Sequence, residues 1–332
     1  RLKICLACSG GGHLRQLLLL RDFLSNHDVF LITARTPLAE SVAGELRVEY
    51  VEDIALGLLK KSPKAWWAFL KNLLATIRIL ARERPDVVLS SGAGTALNAI
   101  FCSRLLGSRC IFLETFAHSQ TPSLTGRLVA RWVNAHLVQW KALLERFPRA
   151  VLVSPLEETG EEIPPKPPEI RQVLVTVGTH GPFDRLVREV DHLIETGVLT
   201  DPVVAQAGRS LFRSFNMRCF ESCGQDEMKN LLRESRLLIT HGGTGSILSG
   251  LEAGCRVIAI PRRASEGEHY DDHQFEILQE MVSRGAILGG NDPTDLERLV
   301  GEAESFRPMR IRISTERIEA ELTRLFEEWF GS

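Results

Sequence analysis

No stretch of this 332-residue chain supplies the roughly 18 to 20 consecutive apolar residues that a helix needs to cross a bilayer, and no secretory leader is recognisable. A spanning helix inside the chain is therefore not expected. The chain begins at Arg1 and not at a methionine, which leaves room for an anchor ahead of it. Excess charge of one sign is also missing: 40 Lys and Arg stand against 42 Asp and Glu, for a formal net charge of -2 and a pI near 6.6. That balance gives no general reason to expect nucleic acid. Seven cysteines follow no regular framework, and their odd number fits a reduced compartment better than a disulfide scaffold. "CLAC" at Cys5 to Cys8 lacks the second ligand pair of a zinc knuckle and reads as core packing where a buried strand enters a turn; Cys219 and Cys223 are read the same way. Neither GxxxxGK[ST] nor a complete GxGxxG occurs, and "GAGTAL" at 92 to 97 lacks the third glycine. The missing lysine counts against an ATPase, and the missing dinucleotide pattern counts against a dehydrogenase.

What is present is a repeated grammar. A composition 44% hydrophobic and 25% charged suits one large domain or two ordinary ones. "LKICLA" leads through "CSGGGH" into "LRQLLLLRDFL"; "DVFLIT", "DVVLSSGAGTALNAIFCSRLL" and "RCIFLE" follow. Short apolar strands alternating with helices predict a parallel sheet, and the lack of strict alternation within each strand predicts that both sheet faces are covered. From Ser154 to Ile170, "SPLEETGEEIPPKPPEI" packs five prolines and five glutamates into seventeen residues and reads as a linker with no packed strand. The grammar restarts with "RQVLVTVGTHGPFDRLVREVDHLI" and continues through "VVAQAG", "RLLIT", "CRVIAIPR" and "GAILG". The expectation is α/β with two open parallel-sheet domains facing a cleft: residues 1–155, a linker at 156–170, and residues 171–332. The final "ISTERIEAELTRLFEEWF" has a helical stripe at Ile318, Leu322, Leu325, Phe326 and Trp329 that fits a cap on either domain.

Three glycine-rich loops follow strands: Gly10 to Gly12 with His13, Gly178-Thr179-His180-Gly181, and His241-Gly242-Gly243-Thr244-Gly245-Ser246. Glycine lets the backbone approach a ligand, and amides at a following helix start attract phosphate oxygens. Each loop alone is also an ordinary tight turn; three at equivalent strand ends point to a phosphorylated ligand. "PRRASEGEHYDDHQ", Pro261 to Gln274, places Arg262, Arg263, Glu268, His269, Asp272, His273 and Gln274 beside that site. It lacks the HExxH order of a zinc protease, and no metal is expected there. Its acids and Gln274 suit sugar hydroxyls and its arginines suit phosphate or a carboxylated sugar; a solvated helix start capped by Asp271 or Asp272 is the competing account. His13, at a helix start, is a candidate general base, with helix-start hydrogen bonding as its plain alternative. Glu114, closing "RCIFLE", is a second candidate, because a carboxylate is poorly explained there by packing.

"KKSPKAWWAFLKNLLATIRILARER", from Lys60 to Arg84, carries seven basic residues and one acid around a broad apolar surface. It suits a bilayer interface, with Trp66, Trp67 and Lys71 at the headgroups, or else an ordinary crossover helix. A phosphate-binding half and a lipid-facing half together fit transfer from a soluble activated donor to a lipid-borne acceptor.

Here the residues resemble a known family. "SGGGHLRQLL", "SSGAGTAL" and "FLETFAHSQTPSLTGRL" resemble the membrane-associated acceptor subunit of bacterial exopolysaccharide glycosyltransferases. "QVLVTVGTHGPFDRLV", "LLITHGGTGSILSGLEAG" and "PRRASEGEHYDDHQ" resemble the UDP-sugar-binding partner subunit. The same pairing occurs in the two-subunit dolichol-linked N-acetylglucosaminyltransferase. The resemblance implies a GT-B fold and inverting transfer from a UDP-sugar, a co-substrate and not a cofactor, to a lipid-pyrophosphate-linked saccharide. It places the enzyme peripherally at the cytoplasmic face of the cell membrane, with no nucleic acid partner. It also places Gly242, Gly243, Thr244, Gly245 and Ser246 at the diphosphate, with Gly178, Thr179, His180 and His241 close by. Glu268, His269, Asp272, His273 and Gln274 fall near the donor sugar or ribose, and Glu252 near the nucleotide. Some relatives carry a ribose-binding glutamate where this chain has Ser249. Gly11, Gly12, Gly92, Gly94, Thr95 and His118 fall on the acceptor side with His13. Arg262 and Arg263 make UDP-glucuronic acid the first choice of donor, with UDP-galactose, UDP-glucose and UDP-N-acetylglucosamine as alternatives. A non-catalytic UDP-sugar-binding protein is a further class, which His13 and Glu114 weigh against.

Overall fold

A computed structural model describes residues 1–54, 63–178, 181–269 and 272–331. The chain divides into two compact units, Arg1–Pro155 with Ser314–Ser332, and Leu156–Ile313.

The first unit carries β1 (Lys3–Cys8), α1 (Gly12–Leu18), α2 (Arg21–Leu24), β2 (Asp28–Thr33), α3 (Pro37–Val42), β3 (Arg47–Tyr50), α4 (Pro63–Glu83), β4 (Val87–Gly92), α5 (Ala93–Leu105), β5 (Arg109–Leu113), α6 (Leu124–Val129), β6 (Ala135–Val138) and β7 (Val151–Leu152). The strands are parallel in the order β3-β2-β1-β4-β5-β6-β7. The order reverses between β1 and β4, the switch point where such sheets leave a crevice at their carboxyl ends. Burial on both faces is visible within β1: Ile4, Leu6 and Cys8 pack with Leu14 and Leu17 of α1, while Cys5 and Ala7 pack with Ile79, Leu80, Ala96 and Ile100 of α4 and α5. Cys5 and Cys8 therefore face opposite sides of the sheet and cannot share a ligand. Burial pushes the Cys8 thiol up to about 12.

The second unit opens with β8 (Leu156–Glu162), then β9 (Gln172–Thr176), α7 (Asp184–Glu195), β10 (Val203–Gln206), β11 (Arg218–Phe220), α8 (Gln225–Arg233), β12 (Ser235–His241), α9 (Thr244–Glu252), β13 (Arg256–Ile260), α10 (Gln274–Ser283), β14 (Leu288–Gly289), α11 (Leu296–Ala303) and β15 (Met309–Ile313). Its main sheet runs β11-β10-β9-β12-β13-β14, again parallel and again reversing beside its first strand. Two Rossmann-like sheets in one chain are the GT-B class of fold.

One expectation needs correction, and one open alternative is resolved. The Pro/Glu segment is not all linker, because β8 pairs antiparallel with β15. Four of its five glutamates lie within β8, which turns most of its side chains to solvent, where Arg310 and Arg284 meet Glu161 and Glu158. The prolines that would break a ladder flank it at Pro155 and from Pro164 onward. The terminal helix, α12 (Glu316–Phe330), belongs to the first unit and not to the second. Its stripe of Ile318, Leu322, Leu325 and Phe326 is buried against the α1 face of the first sheet.

Candidate functional site

The second unit's switch point lies where β9 and β12 end side by side, Thr176 being paired with Thr240. Gly178 follows β9 at φ 76°, and β12 ends in His241. The imidazole is 6% exposed, with Nδ1 at 3.4 Å from the Thr176 carbonyl and 3.3 Å from the Thr240 hydroxyl. A methyl on Gly178 would come within 2.7 Å of Cε1 and Nε2, and one on Gly243 within 2.8 Å of Cε1 and Cδ2. The ring is thus clamped between two glycines, and their lack of a side chain admits it.

Gly243 is also the N-cap of α9, at φ -79° and ψ 122°, with no side chain capping the helix. Ser246 N–H turns back to the Gly243 carbonyl at 3.1 Å, while the amides of Thr244 and Gly245 have no intrahelical acceptor. An uncapped nine-residue helix start presents unpaired amides and the positive end of its dipole, an arrangement suited to phosphate oxygens. Glu252 stands apart from it. It is exposed at the last turn of α9, about 12 Å along the axis from the helix start.

The segment after β13 forms the wall beside this cradle. Arg262 is 2% exposed, its guanidinium 3.4 Å from where methyls on Gly178 and Gly181 would lie, and its backbone N–H donates to Gln274 Oε1 at 3.0 Å. Glu268 is buried and takes two hydrogen bonds from Arg185, both 2.8 Å, and one from the Arg263 N–H at 2.9 Å. Asp272 accepts from the Ala264 N–H at 2.9 Å. The polar atoms of Glu268 and Gln274 are thus engaged in shaping the loop. His269 and His273 meet edge to face at 4.9 Å, and both are half-buried. Thr179 and His180 lie outside the described residues. Among the described residues no cluster of three or more His, Cys, Asp or Glu is arranged to hold a metal ion.

Arg185 escaped the sequence reading. It sits beside the buried Leu186 and Val187 at the start of α7, donates to Asp292 at 2.8 Å as well as to Glu268, and its guanidinium is pushed up chiefly by the Glu268 hydrogen bonds. Its only sequence signal is an arginine beside the apolar stripe of an amphipathic helix. Removing one partner of a buried pair leaves the other charge stranded, a loss of about 3 to 5 kcal/mol. Arg185→Ala is expected to lower the midpoint of thermal unfolding by several degrees and to weaken UDP binding about tenfold, read by calorimetry. Unchanged UDP affinity would remove Arg185 from the donor wall.

In the first unit, His13 starts α1 and is half-buried. Its Nδ1 lies 2.8 Å from the Ser91 carbonyl, and the Ser91 hydroxyl donates to the His13 carbonyl at 3.0 Å. An acceptor there requires the proton on Nδ1, which makes Nε2 the basic nitrogen of the neutral ring. Gly92, at φ 130°, would bring a methyl within 2.7 Å of His13 Cε1. Ala93 follows in the left-handed region at φ 67°, which costs a residue with a Cβ about 1 kcal/mol and marks a turn held by its surroundings. Gly11 takes φ 75°, and Gly12 is exposed.

Gly94 and Thr95 belong elsewhere. Gly94 is pressed against Ile54 of the segment after β3, and Thr95 is buried with its hydroxyl 3.4 Å from Asn72 Nδ2 of α4, so both pack α5 against its neighbours. Glu114 follows β5 and is enclosed within the first unit. It has no exposed surface; its Oε1 accepts from the Thr115 N–H at 3.2 Å, and its Oε2 lies 3.8 Å from His136 Nε2 beneath Gly126. Its backbone carbonyl binds Gln16 and Gln139, so the residue organises the chain around the His118 loop. His118 is half-buried in that loop.

No helix is long and apolar enough to cross a membrane among the described residues. On α4, Trp66 is 54% and Trp67 62% exposed, with Lys71 Nζ 5.9 Å above the Trp67 ring. Exposed Leu70 and Leu74 of the same helix, and Phe101, Leu105 and Leu128 of α5 and α6, extend this apolar surface. Surfaces of that kind mark interaction sites.

Comparison with known proteins follows the same division. Residues 59–156 match the family model "Oligosaccharide biosynthesis protein Alg14 like", and residues 172–320 match "Glycosyltransferase family 28 C-terminal domain". The human UDP-N-acetylglucosamine transferase subunit ALG14 is 26% identical over 95 residues, 27% of this chain and 44% of that protein. The chain thus spans less than half the length of that relative. A UDP-N-acetylglucosamine--N-acetylmuramyl-(pentapeptide) pyrophosphoryl-undecaprenol N-acetylglucosamine transferase from Parasynechococcus marenigrum is 25% identical over 277 residues, 74% of this chain and 76% of its own. The crystal structure of Acinetobacter baumannii MurG aligns with a TM-score of 0.64 at 15% identity, covering 98% of this chain and 100% of that one. Structures of UDP-N-acetylglucosamine 2-epimerases share the fold as well. The fold alone therefore does not separate epimerase from transferase.

Proposed function

We propose that this chain is a UDP-sugar-dependent glycosyltransferase that moves N-acetylglucosamine from UDP to a saccharide carried on polyprenyl pyrophosphate at a membrane surface. The observation that carries this reading is the uncapped start of α9 at the second switch point, with His241 clamped behind it by Gly178 and Gly243. The matches to N-acetylglucosamine transferases support the choice of sugar. They weigh against glucuronate, the first choice from the sequence, and so does the geometry of its two arginines. Arg263 is tied to Asp292 at 3.3 Å and to the Asn291 carbonyl at 3.0 Å, and Arg262 is buried beside Gly178 and Gly181.

In the reaction, Nε2 of His13 takes the proton of the acceptor hydroxyl as its oxygen forms a bond to C1 of the sugar. The bond from C1 to the diphosphate oxygen breaks on the opposite side, inverting the anomeric centre. The Thr244 and Gly245 amides and the α9 dipole take up the charge developing on UDP. Trp66, Trp67 and Lys71 hold the first unit at the bilayer interface, where the lipid-linked acceptor resides.

The test is turnover of UDP-N-acetylglucosamine, UDP-glucuronate, UDP-galactose and UDP-glucose on an undecaprenyl-pyrophosphate-linked saccharide. UDP-N-acetylglucosamine is expected to lead in kcat/KM by about 10- to 200-fold, the range available to pocket discrimination. Preferential glucuronate transfer would overturn the sugar assignment. Conversion of UDP-N-acetylglucosamine without acceptor to its 2-epimer would overturn the transferase reading.

A further inference from the structure

In the second unit, three neighbouring strands carry an arginine at their amino-terminal ends: in "IRQVLVT", "SRLLITH" and "CRVIAI", Arg171 immediately precedes β9, Arg236 is the second residue of β12 and Arg256 is the first of β13. Adjacent parallel strands lie about 4.8 Å apart, and the register sets Leu237 beside both Val173 and Arg256, so the three guanidiniums form a row along one sheet edge. This is the amino-terminal edge, opposite the glycine loops and about 20 Å from them at roughly 3.3 Å per residue.

The row borders a cavity of about 380 Å³, whose far wall is the Pro164–Pro168 segment and whose rim adds Phe306 and a fourth arginine, Arg307. Two carboxylates face these four cations. Asp201 binds Arg171 and Arg236, each at 2.6 Å; Glu304 binds Arg236 at 2.7 Å and reaches Arg256 only at 4.0 Å. Arg307 donates to the Ser305 and Phe306 carbonyls, both at 3.2 Å. Lys166, also in the lining, spends its ammonium on the carbonyls of Leu232, Arg233 and Ser235. Burial, opposed by Glu304 and reinforced by Arg307 and Arg236, holds the Arg256 guanidinium below its usual range. Arg236 and Arg256 are half-buried like charges with the exposed Arg171 and Arg307 beside them, and an anion bound among them would relieve their repulsion.

We propose that this cavity is a second anion site, separate from the donor cradle, in which Arg256 and Arg307 bind a phosphate-class group while the proline wall and Phe306 cover an organic moiety. Guanidinium forks match phosphate oxygens bidentately, and the volume lies in the lower part of the small-molecule range. The site does not depend on the transferase reading. Its ligand is a soluble phosphate ester or diphosphate, or the headgroup of an anionic phospholipid.

Inorganic pyrophosphate is titrated into the full chain at saturating UDP, so that any diphosphate site elsewhere is filled, with binding read by calorimetry and thermal unfolding. The expected result is a further rise in the unfolding midpoint that Arg256→Gln/Arg307→Gln abolishes and that Arg307→Gln alone, at an exposed residue that leaves the fold intact, weakens at least fivefold in affinity. A second arm sediments the chain with phosphatidylglycerol vesicles. Loss of sedimentation in Arg307→Gln, with no response to pyrophosphate, assigns the site to lipid headgroups and supports the same chemistry. Equal behaviour of wild type and Arg307→Gln in both arms overturns the proposal. Because no arm measures sugar transfer, failure of the transferase reading leaves this result interpretable.

Discussion

His13→Ala lowers turnover by about 10²- to 10⁴-fold while leaving UDP affinity within about twofold, the range expected when a positioned general base is removed. The reasoning starts from the Nδ1 contact to the Ser91 carbonyl at 2.8 Å, which fixes the tautomer with its basic nitrogen at Nε2. The ring is held there twice, by that hydrogen bond and by the empty side of Gly92. Alanine removes both the base and the latch, so a second variant is needed to tell them apart. His13→Gln keeps an N–H donor for Ser91 but accepts no proton at neutral pH. Low turnover in both variants, with loss of the acidic limb of the pH–rate profile, identifies proton transfer. Near-normal turnover in His13→Gln would make the residue a latch and leave the base unassigned. Gly92→Ala should resemble His13→Ala in turnover, because a methyl 2.7 Å from Cε1 displaces the ring without touching its chemistry.

The boundary between what the sequence showed and what it hid follows the reach of each interaction. Strands and helices rest on local apolar spacing, so the two parallel sheets and the buried stripe of α12 were readable from short words such as "LKICLA" and "RLLIT". The pairing of β8 with β15 was not, because it joins Glu162 to Met309 across the whole second unit and its glutamates imitate a linker. The candidate site divides in the same way. Glycine loops announce themselves, since a backbone that must lie against a ring or a ligand excludes every other residue. The fate of a charged side chain depends on partners far along the chain. The pairing of Glu268 with Arg185, 83 residues away, has no signal in the loop's own sequence. The burial of Glu114 likewise depends on α6 and on His136, neither of which its own strand predicts.

The second large effect tests the cradle itself. Gly243→Ala is expected to weaken UDP binding up to about 100-fold, the order of losing a hydrogen bond to a charged group, about 1.5 to 3 kcal/mol. Backbone strain does not cause it, since φ -79° and ψ 122° are open to alanine. The clash is with His241, whose Cε1 and Cδ2 would lie 2.8 Å from the new methyl. An exposed ring would swing away. This one is 6% exposed, closed off by Gly178 on another side, and held near the Thr176 carbonyl and the Thr240 hydroxyl. The start of α9 must move instead, and with it the Thr244 and Gly245 amides proposed to meet the diphosphate. Shrinking the ring should then undo the damage: Gly243→Ala/His241→Ala is expected to bind UDP at least tenfold more tightly than Gly243→Ala alone, a positive coupling between two residues in contact. Calorimetric titration of UDP into the two variants measures it. Wild-type affinity in Gly243→Ala would move the diphosphate away from α9, while failure of the double variant to recover would mean that His241 meets the ligand as well as supporting the turn.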